Sequence, residues 1–331
     1  MTAAAAPPYT ITPEILDLVE QIGEAIGQAE AAGLGLDLRL RREARVRTVH
    51  GSVAIEGNAL SEDQVSAILD GKRVVGPPKD VQEVRNANAA YDLAGDWTPA
   101  SEDDLLGAHR ALMTELAGTP GRYRTAAVGV IGPDGVHHIG PPAGRVPGLM
   151  ADLIGWLRDT EEHPLIASSV FHYEFEFIHP FEDGNGRLGR LWQTLILSHW
   201  KPMFAHVPVE SVVQARQPEY YTAIEDSSRQ GESTPFIRFM LDAILAAVRQ
   251  ATPQEPPQVT PQVERLLEVV NGEMSRREML DALGLRDRKW LRQGYLGPAL
   301  QAGLIEMTRP EAPRAKNQRY RLTPAGRRVR S

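Results

Sequence analysis

Between His179 and Arg190 the chain reads His-Pro-Phe-Glu-Asp-Gly-Asn-Gly-Arg-Leu-Gly-Arg, with one imidazole, two carboxylates, one amide and two guanidiniums among three glycines. An unperturbed imidazole titrates near ~6.5, so His179 is the side chain here suited to moving a proton at neutral pH. Gly184 and Gly186 free the backbone for conformations in which successive N–H groups form a nest around a phosphate. Arg187 and Arg190 stand three apart, which on a helix puts both guanidiniums on one face. Asp183 beside such an anion suits Mg²⁺, which takes one or two carboxylates plus phosphate oxygens. Base, anion nest, arginine clamp and metal ligand are the parts of a phosphate-transfer site.

The flanking elements fit that chemistry. Residues 167–178 read as a helix that Pro180 and Gly184 interrupt. Leu188, Leu191, Trp192, Leu195 and Ile196 then recur at the spacing of a second amphipathic helix. The Gly-rich loop therefore feeds a helix N-terminus, whose unpaired N–H groups attract anions. Three other readings compete. Gly184-Asn-Gly186-Arg-Leu-Gly189 matches a dinucleotide fingerprint, but that needs a strand before it. Glu176-x-x-His179 is half of a two-metal bundle motif, and no second copy follows on another helix. A plain Gly-rich connection with solvated arginines accounts for any one residue, not for nine specified types at fixed spacing.

The run resembles the signature of the Fic family, His-Pro-Phe-x-Asp-Gly-Asn-Gly-Arg-x-x-Arg, at every specified position. That resemblance implies a mainly α fold, a helical bundle with a β-hairpin flap, and transfer of AMP from ATP·Mg²⁺ to a Ser, Thr or Tyr hydroxyl of a protein. It implies that His179 deprotonates the target hydroxyl and that Asp183 holds Mg²⁺. The backbone of Gly184, Asn185 and Gly186 would form the anion hole, with Arg187 and Arg190 toward the outer phosphates. Ser52-Val-Ala-Ile-Glu56-Gly57 resembles the family's inhibitory helix, in which the glutamate pairs with the second arginine, here Arg190. Ser52 and Glu56 share a helix face, and a carboxylate competes with phosphate for one guanidinium fork. Residues 217–223 and 234–240 resemble the closing helices, where Tyr221 or its neighbour lines the adenine side; Ser227-Ser228-Arg229 departs from an asparagine in some relatives. The runner-up readings are transfer of another phosphate-linked group, removal of AMP, and a nucleotide-sensing DNA-binding regulator.

The chain has 331 residues, 42% of them hydrophobic, enough for two domains and a sizeable core. It has no cysteine, which excludes disulfides and thiolate metal sites. Without a signal-peptide pattern or a membrane-length apolar run, the expectation is a cytoplasmic protein. The net charge of −7 is uneven. Residues 261–331 hold fifteen Lys or Arg against eight Asp or Glu, a net +7, so the remainder carries −14. A basic module on an acidic body points to two domains with different partners.

In chain order, residues 1–10 carry no pattern and are expected to be disordered. Helical stripes cover 12–26, 38–55, 63–69, 80–93 and 101–116. Residues 126–131 and 136–139 around Gly132-Pro-Asp-Gly135 read as a hairpin. Its edge, within 125–139, is the expected dock for an extended target segment. His137 and His138 on it are read as incidental rather than as metal ligands. The predicted organisation is an N-terminal helical region at 1–100 with the inhibitory helix, a Fic core at 101–250, a Pro-rich linker at 251–261 and a winged helix-turn-helix domain at 262–331. In the last, one helix from Asp287 to Ala302 is expected, with Arg286, Arg288, Lys289 and Arg292 on or near it and Lys316 and Arg319 on the wing. DNA contact and protein contact by this basic face both stay open, as does homo-oligomerisation.

Overall fold

The loop that opens at His179 joins two helices, Pro164–Ile178 and Asn185–Trp200, that are buried on almost every side. Phe171, Phe175, Leu188, Leu191 and Trp192 are inaccessible to solvent, and burying each such Leu or Phe contributes about 1.5–3 kcal/mol. A helix apolar all round belongs at the centre of its domain, and the other elements wrap this pair.

In this computed structural model residues 6–34, 38–132, 135–252, 260–310, 315 and 318–330 are described. Two compact units result: Met1–Glu30 with Arg39–Ala251, and Ala31–Leu38 with Thr252–Ser331. The first contains α1 (Pro13–Ala31), α2 (Leu38–Ile55), α3 (Glu62–Leu69), α4 (Pro78–Leu93) and α5 (Glu102–Met113). After them come the hairpin β1 (Gly129–Gly132) and β2 (Gly135–Ile139), then α6 (Val146–Asp159) and the central pair α7 and α8. It closes with α9 (Val209–Ala215), α10 (Gln217–Gln230) and α11 (Thr234–Ala251). The mainly helical architecture is as expected, and among the described residues no helix is long and apolar enough to cross a membrane.

Three local differences have physical causes. Helix α5 stops at Met113 instead of 116 because Asn86 Nδ2 takes the carbonyls of Leu112 (3.0 Å) and Thr114 (2.6 Å). The first hairpin strand starts at Gly129, and its antiparallel register with β2 shifts between Val130 and Ile131. Residues 6–10 are not loose: Pro8 O accepts from Ser233 N at 2.9 Å, and Thr10 N donates to Thr234 Oγ1 at 2.8 Å, tying the chain to the start of α11.

The second unit begins with α12 (Pro261–Val269) and α13 (Arg276–Leu283), the latter entered through a capping box between Ser275 and Glu278. The helix expected over 287–302 is interrupted: α14 (Arg288–Trp290) widens into a π-helical turn at Leu291–Leu296 before α15 (Gly297–Gln301). Pro298 brings no N–H to the α ladder, and Gly294 and Gly297 weaken helix propensity around it. Strands β3 (Ile305–Met307) and β4 (Tyr320–Leu322) pair antiparallel over a core that includes Leu266, Met279, Leu291, Tyr295 and Tyr320. A last helix, α16 (Pro324–Arg330), was not anticipated. Helix–turn–helix followed by a hairpin is the order read from the sequence. Residues 253–259 of the Pro-rich stretch, and Lys316, lie outside the described residues.

Candidate active site

His179 ends α7 in the left-handed region, φ 49° and ψ 63°. A non-glycine residue there is strained by roughly 1–2 kcal/mol, and it persists because its backbone is held from both sides. His179 N–H bonds Phe175 O at 2.9 Å, while Arg124 Nε donates to His179 O at 2.7 Å. Arg124 is itself buried and also reaches the carbonyls of Ala126, Pro141 and Ile178. Its charge thus sits at the C-terminal end of α7, where the helix dipole favours a cation. Burial lowers the Arg124 pKa below its usual value.

The turn that follows is closed by two side chains. Asn185 accepts from Phe181 N–H and donates to Phe181 O, both at 2.9 Å. His109 accepts from Gly121 N–H at Nδ1 (2.8 Å), so its other nitrogen donates to Asp183 O (2.9 Å). Its ring stacks on Phe181 with centroids 3.7 Å apart. Burial is the main reason its pKa falls to about 4, which keeps it neutral as this bonding pattern requires. Gly184, at φ 84°, then turns the chain into α8. No side chain caps α8, and its ladder starts with Leu188 N–H on Gly184 O. The N–H groups of residues 185–187 are therefore the free donors of a helix start.

Both arginines are held by the N-terminal helices. Arg187 contacts Glu83 of α4 at 3.2 Å and Asp183 Oδ1 at 2.9 Å. Asn58, two residues beyond Glu56, donates to the other oxygen of Glu83 at 2.8 Å. Arg190 donates to Ser52 O at 3.0 Å and to Glu56 Oε1 at 2.6 Å. The Glu56 carboxylate also lies against Gly186, so closely that a Cβ there would collide with it. Burial alone would lower the Arg190 pKa; the charges of Glu56 and its neighbours outweigh that and raise it. The Nε atoms of Arg187 and Arg190 are buried without a partner among the described residues.

Glu176 lies between the base and this ion pair. Its Oε2 is 3.9 Å from His179 Nδ1, and its buried Oε1 has no hydrogen-bond partner among the described residues. Burial, with Glu56 nearby, raises its pKa to about 8. Behind it, His172 pairs with Gln193 at 2.6 Å and with the Tyr220 hydroxyl at 3.1 Å.

The structure thus brings together His179, Asp183, Gly184, Asn185, Gly186, Arg187, Arg190, Ser52 and Glu56. Ser52 participates through its carbonyl, not through the side chain the spacing emphasised. Tyr221 is exposed on α10, within 3.3 Å of Gln217, whose amide also bonds Ile55 O at the end of α2. His137 and His138 fall on β2, and among the described residues no cluster of three metal-ligand side chains occurs. Glu83, His109 and Arg124 were missed as site residues. Their signal is tertiary: each is a buried polar side chain whose partner is the motif loop or its arginine.

Residues 99–197 match the family model described as Fic/DOC family. Residues 261–323 match the one described as Filamentation induced by cAMP protein Fic-like, C-terminal domain. The crystal structure of a Fic family protein from Desulfovibrio desulfuricans G20 is 52% identical and has a TM-score of 0.74, covering 97% of this chain and 99% of that chain. Fic-1 from C. elegans (aa 134–508) is 25% identical with a TM-score of 0.57, covering 71% of this chain and 72% of that one. Among curated proteins, protein adenylyltransferase Fic of Culex quinquefasciatus is 30% identical over 230 residues, 66% of this chain and 44% of that protein. The chain therefore spans less than half the length of that curated relative.

Proposed function

The chain belongs to the Fic family, and from that premise we propose that it moves AMP from ATP·Mg²⁺ to a hydroxyl of a target protein, with Glu56 holding the activity down. The observation that carries this reading is the position of the Glu56 carboxylate. It rests on Arg190 and against Gly186 at the uncapped start of α8. A helix start with an adjacent buried arginine is an anion site, and the protein's own carboxylate fills it. An ATP phosphate would compete for the same donors.

In the active state His179 would accept the proton of a Ser, Thr or Tyr hydroxyl. The hydroxyl oxygen would attack the α-phosphorus, forming one O–P bond while the bond to the leaving pyrophosphate breaks. Arg124 and the strained backbone at 179 would hold the imidazole against Glu176. Asp183 fits a metal ligand: Oδ1 is oriented by Gly184 N–H (2.6 Å) and Arg187, which leaves Oδ2 on a half-exposed side chain for Mg²⁺. When bound, Mg²⁺ supplies positive charge toward the α- and β-phosphates. Tyr221 remains the proposed adenine-side residue, and the edge of the hairpin at 125–139 the proposed dock for an extended target segment.

Incubation with α-labelled ATP, followed by mass spectrometry of the self-modified chain, tests the reading. Label is expected on the Glu56→Gly variant, little on wild type and none on the Glu56→Gly, His179→Ala double variant. Transfer of a phosphate or phosphocholine mass instead, or label that survives loss of His179, would sink it. Removal of AMP would show as loss of label from a pre-modified protein.

A further inference from the structure

We propose that the C-terminal unit binds duplex DNA, with the phosphodiester backbone held in the basic cavity between the start of α13 and the α14–α15 helix. This stands independently of the AMP-transfer reading. The cavity measures about 660 Å³, and its charged lining is Arg276 and Arg277 from α13 with Arg288, Lys289 and Arg292 from the following helix. Among the described residues no acidic side chain lines it.

The ion pairs of this unit sharpen the contrast. Two arginines at the hairpin are paired with carboxylates: Arg319 contacts Glu278 at 3.3 Å, and Arg321 contacts both Glu306 and Glu273. Glu278 also accepts from the backbone N–H of Ser275, a lining residue, at 2.6 Å. Among the described residues, Arg277, Arg288, Lys289 and Arg292 form no ion pair. Arg276 turns to the Tyr320 hydroxyl at 2.8 Å, which fixes the guanidinium without cancelling its charge. The cavity's cations on the two helices thus converge without ion pairs among the described residues, and converging like charges are relieved by an anion.

Shape selects the class of anion. Small-ligand sites enclose most of their ligand, whereas all five of these cationic side chains are exposed. The lining comes from three elements: the start of α13, the next helix, and Gln318 ahead of β4. In a helix–turn–helix with a hairpin, these are the parts that meet a duplex. Arg288 and Arg292 are one turn apart on one face, and Trp290 beside them is 48% exposed. The helix start at α13 already has its capping box, so the side chains rather than backbone N–H groups would carry the contact.

The test uses the full chain, a labelled duplex of about 20–30 base pairs and fluorescence anisotropy between about 50 and 200 mM salt. Binding is expected at low salt, weakening steeply as salt rises. Arg288→Ala with Arg292→Ala should lower the log–log salt slope by about two, one per lost phosphate contact. Both positions are exposed, and an unchanged melting temperature would establish that the variant folds. No binding at low salt, or an unchanged slope in the variant, would overturn the proposal. Full displacement of the duplex by micromolar mononucleotide would overturn it too, assigning the cavity to a small phosphate ligand.

Discussion

Arg190 Nη2 and Glu56 Oε1 lie 2.6 Å apart across 134 residues of sequence. Arg190 is buried, and the carboxylate is only partly accessible, so the pair lies inside the site and is not a surface contact. A hydrogen bond to a charged group contributes about 1.5–3 kcal/mol. Its removal should therefore tighten ATP binding by roughly 10- to 100-fold. Glu56→Gly is expected to show this by isothermal titration calorimetry, and Glu56→Gln, which keeps the shape without the charge, should fall between. Equal affinity in all three proteins would contradict competition for Arg190.

Gly51 sets how close α2 comes to the rest of the bundle. A Cβ there would stand 2.7 Å from the backbone of Glu210 and Ser211 on α9. Gly51→Ala must push α2 outward at a typical overpacking cost of 1–3 kcal/mol, loosening Glu56 with it. The expected outcome is a lower melting temperature together with higher self-modification than wild type. Lower stability without any gain in label would show that α2 moves without releasing Arg190.

His109 positions the loop without touching a reacting group. His109→Ala removes the bond to Asp183 O and the stack on Phe181. Misplacing a reacting group by about 1 Å can cost 100-fold in rate. In a Glu56→Gly background, kcat is expected to fall by one to two orders of magnitude while ATP affinity changes less. A reduced affinity with an unchanged kcat would place His109 in binding instead.

The buried titratable groups give stability an opposite pH dependence on each side. Burial holds His109 near 4 and His172 near 3, so below ~6.5 the unfolded chain binds more protons than the folded one. Stability is then lost as the pH falls through that window. Glu176 is raised by burial from 4.5 to about 8. The folded chain keeps a proton that the unfolded chain releases, and stability falls as pH rises from 4.5 to 8. Thermal melting across pH should show both limbs, and Glu176→Gln should make the alkaline one shallower without changing the acid one; burial also raises Glu174, to about 7, and Glu210, which keep the rest.

The motif and the central helix pair were legible because their determinants are local. Periodicity, the Pro180 and Gly184 breaks and nine fixed residue types lie within one stretch of about 35 residues. The same holds for α2, whose limits were read correctly, and for the order of elements in the basic unit. The π-helical turn at Leu291–Leu296 was not legible, since a six-residue widening barely alters the apolar spacing. The charge of Arg319 was visible in sequence, but its ion pair with Glu278 was not.

The sequence by itself determined which groups meet at the loop, because residues 179–190 are consecutive and helix geometry places them. The Glu56–Arg190 pair was anticipated through the resemblance, while the other partners of those groups were decided only by the tertiary structure. Glu83, His109 and Arg124 reach the loop or its arginine over 104, 74 and 55 residues of chain. Such contacts depend on how helices pack, a many-body outcome of burial that no local spacing encodes. Arg190 and Glu56 were both named from the sequence, and packing joins them: Gly51 lets α2 close on α9, which brings Glu56 to Arg190.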